Sequence, residues 1–143
     1  LYYWAKLYTE QLAAGDDYSS LSKAIGIHIL NFISITNNDR YHNCFHIREK
    51  ETGERYFTDL ELHTIELKKF EGKTKELSDL VASIRSALDV WLAFLTKNNL
   101  LNKDNLPPAL ENQSLKKALS VLEVMNFSKA ERDAYDDHLK WLM

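Results

Sequence analysis

The chain has 143 residues, one ordinary domain's worth where domains run roughly 100–200. Its 45% hydrophobic and 27% charged residues exclude a disordered tail, a collagen-like fibre and a disulfide miniprotein. No apolar run approaches the ~20 residues that span a bilayer. The formal charge of −3 is not polarised: residues 1–70 hold eight Lys/Arg against ten Asp/Glu, and residues 71–143 hold ten against eleven. A module that grips nucleic acid alone presents a basic face, so this charge pattern argues against one. Lys68-Lys69 and Lys116-Lys117 are short, flanked by acids, and fit solvated surface. Cys44 is the lone cysteine, which fits a reducing, cytoplasmic setting.

The chain opens on Leu1-Tyr2-Tyr3-Trp4, with neither an initiating Met nor a basic segment ahead of an apolar run, so no secretory signal is read. Leu1, Trp4, Ala5, Tyr8 and Leu12 form one helical stripe, and Tyr3 and Leu7 extend apolar surface around the other side. That pattern predicts a helix buried on more than one flank. It has no Ser, Thr, Asp or Asn ahead of it as a cap, so the expectation is a chain that opens inside an element. Gly15-Asp16-Asp17 ends the helix.

Lys23 to Ile35 places Ile25, Ile27, Ile29, Phe32 and Ile33 at near-alternating spacing, which predicts a largely buried strand. Asn37-Asn38-Asp39 is a turn. Tyr41 to Lys50 and Tyr56 to Leu67 are the arms of a hairpin, joined by Glu51-Thr52-Gly53-Glu54 with glycine where a positive φ is expected. From Lys75 the period becomes helical, with Leu77, Leu80, Val81, Ile84, Leu88, Trp91, Leu92 and Leu95 on one stripe that Asn98-Asn99 stops. Leu106-Pro107-Pro108 belongs to a linker near 97–108. A further helix shows Leu115, Ala118, Leu119 and Leu122, and Ser128 with Glu131 is a capping box for a last helix burying Tyr135, Leu139 and Leu142. The expected class is α+β: helix, buried strand and hairpin over residues 1–70, then a three-helix segment over 71–143 packed on it.

Three groups of residues invite a chemical reading. His42, Cys44 and His46 alternate along one strand and so share a face, with His63 on the opposite arm able to join them. Zinc takes such ligands, but knuckle spacing is absent, and the expectation is polar residues on the wet face of a hairpin with no metal bound. No sequence partner is evident that would activate Cys44 as a thiolate, which argues against a catalytic cysteine. Asp59, Glu61 and Glu66-Leu67-Lys68 match the Asp then Glu-x-Lys order of metal-dependent nucleases, in which two carboxylates hold Mg²⁺ and the lysine supports the attacking hydroxide. Those carboxylates must come from neighbouring strands. Asp59 and Glu66 fall on one predicted strand, roughly 23 Å apart at ~3.3 Å per residue, too wide for one ion unless the strand breaks. Tyr3, Tyr8 and Gln11 are the remaining polar groups of the first helix, and such tyrosines are commonly core residues whose hydroxyl reaches a partner. The sequence has no Gly-rich phosphate loop, nucleophile elbow or triad order.

The run Tyr2-Tyr3-Trp4-Ala5-Lys6-Leu7-Tyr8, with Gln11-Leu12 and Gly15-Asp16-Asp17-Tyr18, resembles the helix and loop behind the catalytic strand of the bacterial PD-(D/E)XK nuclease family transposases, the Rpn recombination-promoting nucleases. The likeness continues through Ile25 to Phe32, Tyr41-His42, Glu49 to Gly53, Leu62 to Phe70, Trp91 to Leu95, and Ser128 to Glu131 with Tyr135. It implies a partial restriction-endonuclease-like core. It also implies a parent that is a Mg²⁺-dependent DNA endonuclease of mobile elements and recombination. The family's catalytic Asp and Glu-x-Gln or Glu-x-Lys strands precede the helix that opens this chain, and Glu66 and Lys68 match a later strand. The resemblance therefore implies no catalytic, cofactor or metal residue here, with Mg²⁺ expected only for the complete member. Family members carry an apolar and a basic residue near Cys44 and His46, which weighs further against zinc.

Two expectations of different class follow. One is the C-terminal part of such a nuclease, a truncated or trimmed form without cleavage activity; the other is a stand-alone protein-interaction module. An uncovered sheet edge and apolar helix flank also predict a homo-oligomer with residues 1–35 at its interface.

Overall fold

A computed structural model describes residues 1–131, 133, 134 and 137, which form two compact units, Leu1–Phe70 and Glu71–Met143. The class is mixed α+β, consistent with a partial restriction-endonuclease-like fold. Among the described residues, no helix is long and apolar enough to cross a membrane.

The first unit opens with α1 (Tyr2–Thr9) and continues through β1 (Ala24–Leu30), β2 (His42–Phe45) and β3 (Leu60–Glu66) into α2 (Leu67–Glu71). The sheet order is β1-β3-β2, with β1 parallel and β2 antiparallel to the central β3. Trp4 anchors α1 by donating its Nε1–H to Ala24 O at 2.7 Å, and it stacks on Tyr8 at 5.0 Å between ring centroids. Gln11 ties the loop that follows, donating to Ser22 O at 3.0 Å and accepting from Ser22 N at 2.8 Å. Gly53 has the expected positive φ, +71°, in a turn where the Glu49 carboxylate accepts the Glu51 and Thr52 N–H groups at 2.8 and 2.6 Å. Beyond Phe45 the hairpin continues only as an isolated bridge between Arg48 and Arg55, so its arms are shorter than the alternation predicts.

Two expectations about burial are corrected here. In α1, none of the residues is fully buried: Trp4, Ala5 and Tyr8 are half-buried, whereas Leu1, Tyr2, Tyr3 and Leu7 are exposed. The helix packs along one flank only. In β1, Ile25, Ile27 and Ile29 are 49%, 62% and 56% exposed, while Ala24 is buried and Gly26, His28 and Leu30 are half-buried. The strand ends at Leu30, leaving Phe32 and Ile33 outside it and exposed. The physical reason is topological. β1 pairs on one side with β3, α1 lies against the Gly26 face, and the isoleucines point to the opposite face. Alternating apolar residues identify a strand, but tertiary packing decides which face is covered.

The second unit carries α3 (Leu77–Ser83), α4 (Ala87–Lys97) and α5 (Gln113–Met125), around buried Leu80, Val90, Leu92, Ala93, Leu110, Leu115 and Leu119. The single long helix predicted from Lys75 is two helices. Glu76 with Asp79 boxes the start of α3, and Ser86 with Asp89 boxes the start of α4, so the chain turns extended at Ile84. Asp89 is buried and accepts the N–H groups of Arg85 at 2.9 Å and Ser86 at 2.8 Å. The buried residues of α4 are Asp89, Val90, Leu92 and Ala93, and Trp91 and Leu95 of the predicted stripe are exposed. Leu115 and Leu119 are buried as expected, with Asn112 capping α5 through the Leu115 N–H. Ser128 and Glu131 form the predicted capping box. Tyr135, Leu139 and Leu142 lie outside the described residues.

Candidate functional site

Register places the polar residues of the hairpin on one side of the sheet. Cys44 pairs with His63 and His42 with Ile65, while on the other edge Ile25 pairs with Glu61 and Ile27 with His63. Directly paired residues share a face, so His42, Cys44, Glu61 and His63 stand together beside the exposed isoleucines. Glu61 is the hub. Its Oε1 lies 2.8 Å from His63 Nε2, and its Oε2 lies 2.9 Å from His46 Nε2 and 2.6 Å from Lys23 Nζ. Cys44 Sγ is 3.8 Å from both His46 Nε2 and His63 Nε2. His63 Nδ1 meets His42 Nε2 at 2.8 Å, and Arg55 reaches His46 Nε2 at 2.8 Å.

The electrostatics follow from these contacts. Hydrogen bonds from Lys23, His46 and His63, in that order, hold the Glu61 carboxyl far below the ordinary carboxylate range against a smaller opposing effect of burial. Burial lowers the His42 imidazole first, and the neighbouring His63 and Arg40 lower it further. Ligand atoms of Cys44, Glu61 and His63 lie within 4.8 Å of one another, close enough for a single ion. The geometry thus unites His42, Cys44, His46 and His63, which the alternation had placed on one face, and supplies two imidazoles beside a thiol that had no evident partner in sequence. Glu61 is the member the sequence reading missed as part of this group. The signal was present, because Glu61 and His63 are two apart on one strand.

Asp59 and Glu66 are not brought together. Strand β3 runs unbroken from Leu60 to Glu66, so the two carboxylates sit at its opposite ends, roughly 23 Å apart at ~3.3 Å per residue. Asp59 accepts the Tyr8 hydroxyl at 2.8 Å beside a surface cleft of about 780 Å³ that Leu12, Tyr18 and Phe57 help to line. Burial, and then this bond to Asp59, raise the Tyr8 phenol pKa. Tyr8 is thus a tyrosine whose hydroxyl reaches a partner, whereas Tyr3 is exposed. Glu66 is 0% exposed and accepts from Ser34 N at 2.5 Å and Ile35 N at 2.9 Å, and its other oxygen pairs with Lys69 Nζ at 2.8 Å. Burial pushes the Glu66 carboxyl up, but Lys69 and the two amides outweigh it, so its pKa lies below the ordinary 4.5. The buried lysine of this strand end is Lys69; Lys68, the one the Glu-x-Lys pattern would use, is exposed.

No curated protein and no solved structure matches the chain. The family model described as PD-(D/E)XK nuclease family transposase matches residues 1–143. With the whole length matched and a mixed sheet of the appropriate class behind it, the chain belongs to the PD-(D/E)XK nuclease family transposases.

Proposed function

We propose that this chain serves DNA recombination as the C-terminal part of a cytoplasmic PD-(D/E)XK transposase, and that it does not cut DNA by itself. Residues 1–70 would contribute a portion of the nuclease-like core, and residues 71–143 an accessory helical region. The observation that supports inactivity is the placement of Asp59 and Glu66. Hydrolysis at Mg²⁺ needs two carboxylates on one ion, and these two stand at opposite ends of β3, each engaged by other groups. DNA is the substrate of the complete enzyme in this reading, and the unpolarised charge of the chain supports weak or no DNA binding in isolation. Incubation with supercoiled plasmid and Mg²⁺ is expected to give no nicking above buffer. Metal-dependent nicking that Asp59→Ala abolishes overturns the proposal.

Self-association belongs to the same reading. The outer edge of β1 has no strand partner among the described residues, and its three isoleucines are exposed, both of which favour a second copy of residues 1–35 as the covering surface. Light scattering of the purified chain should report a dimer or larger species. A monodisperse monomer at high concentration refutes it.

A further inference from the structure

We infer that Cys44, His46, Glu61 and His63 form a binding site for zinc or a similar borderline-soft divalent ion, which would staple β2 to β3. The inference stands apart from the nuclease reading, because it uses neither Asp59 nor Glu66, the pair weighed as Mg²⁺ ligands, and implies no cleavage.

The donor set selects the metal class. One thiolate, two imidazoles and one carboxylate are the ligand types zinc takes in closed, four-coordinate structural sites, whereas Mg²⁺ requires oxygen ligands. The spacing also fits. Zinc–ligand bonds of about 2.0–2.3 Å set the edges of a tetrahedron at roughly 3.3–3.8 Å. The two edges from Cys44 Sγ to His46 and His63 are 3.8 Å each. Glu61 meets the two histidines through separate oxygens, at the hydrogen-bond distances of 2.9 Å from Oε2 to His46 and 2.8 Å from Oε1 to His63. Cys44, Glu61 and His63 already place ligand atoms within 4.8 Å of one another. An ion replacing the shared protons would spread the two hydrogen-bond distances by roughly half to one ångström.

The surroundings supply the outer partner that metal-bound histidines need. Nε2 of His63 faces Glu61 and Cys44, while its Nδ1 meets His42 Nε2 at 2.8 Å. With the ion on Nε2, the His63 proton resides on Nδ1 and is donated to His42, which fixes both tautomer and ring orientation. His46 Nε2 meets both Glu61 Oε2 at 2.9 Å and Arg55 at 2.8 Å, and it is the nitrogen a metal would take. Two cations oppose the ion: Lys23 on Glu61 Oε2 and Arg55 on His46. Both are long side chains near the surface, able to turn away, whereas Cys44, Glu61 and His63 are held in place by the paired strands β2 and β3.

The test uses the full chain with any purification histidines removed and all metal stripped. Titration with Zn²⁺ against a chromophoric chelator should give one ion per chain, undisturbed by excess Mg²⁺. Co²⁺ in its place should give visible bands of tetrahedral intensity and a near-ultraviolet thiolate-to-metal charge-transfer band. Cys44→Ser, an exposed near-isosteric change, should remove the charge-transfer band while the far-UV circular dichroism stays unchanged. His63→Gln should weaken binding sharply. His42→Ala removes no ligand, and should weaken it by about 10–100-fold. Absence of saturable binding overturns the inference. So does binding that survives His63→Gln, since the ion is then held by a surface thiol and not by this constellation.

Discussion

The sharpest prediction concerns the buried pair at the end of β3. Lys69 Nζ pairs with Glu66 at 2.8 Å and also donates to Ile35 O at 2.6 Å and Asn38 O at 2.9 Å, tying the strand end and α2 to the loop that leaves β1. Its side chain is 7% exposed and that of Glu66 is 0% exposed, so solvent screens the pair little. Lys69→Met keeps the length and apolar stem but strands a buried carboxylate and takes the ammonium from three loop carbonyls, those of Ile35, Asn38 and Arg40. Removing one partner of a buried ion pair costs about 3–5 kcal/mol. With a urea slope of roughly 1–3 kcal/mol/M, the unfolding midpoint should fall by about 1 M or more. Hydrogen exchange along β3 assigns the loss to the first unit. The double variant Glu66→Gln with Lys69→Met should be more stable than Lys69→Met alone, because the stranded charge is gone. A midpoint that barely moves, or a double variant weaker than the single by the full Glu66→Gln effect, refutes the view that Glu66 is structural. Stabilisation of the unmutated first unit by Mg²⁺ that Glu66→Gln removes would also refute it.

The same pair dictates an acid response. Glu66 has a folded-state pKa below its ordinary 4.5, so its contribution is complete above that value and is lost as pH falls through the depressed one. In Lys69→Met the stranded carboxylate is relieved by protonation, so the stability deficit against the unmutated chain should narrow on going below about pH 4.5; urea melts at stepped pH check this, and a constant deficit contradicts it. Ser86→Ala should cost about 1 kcal/mol in thermal or urea unfolding, since the Ser86 hydroxyl caps Asp89 N at the start of α4. Gly53→Ala meets no neighbour within 4 Å but sits at φ +71°, so its loss of about 1–2 kcal/mol should be a backbone effect alone. Gly53→Asn, which tolerates that φ better, should recover part of it.

Periodicity made the strand, the hairpin and the helical C-terminal half legible, and turn chemistry placed Gly53 and the Ser128 box correctly. What stayed hidden is instructive. Ser86 and Asp89 have the same spacing as Ser128 and Glu131, yet an apolar stripe keeps helical phase across them from Leu77 to Leu95 and conceals the break. Ile25, Ile27 and Ile29 announce a strand by their alternation, but nothing local says that the face they form is the one α1 leaves bare. Glu61 stands between Asp59 and Glu66 in sequence and was grouped with those acids. The pleat sends it to the side of His63 and Cys44, and two partners that define its role arrive from elsewhere in the chain, His46 just past β2 and Lys23 just ahead of β1.

The β1-β3-β2 order carries a kinetic consequence. The centre of the sheet is the strand made last, so β1 leaves the ribosome with neither edge satisfied and must wait. The first pairing within reach joins Phe45 to Leu62, a short closure, whereas Ala24 and Leu60 must close a loop about twice as long. Because closure entropy rises with loop length, the hairpin should assemble first and serve as the template on which β1 docks.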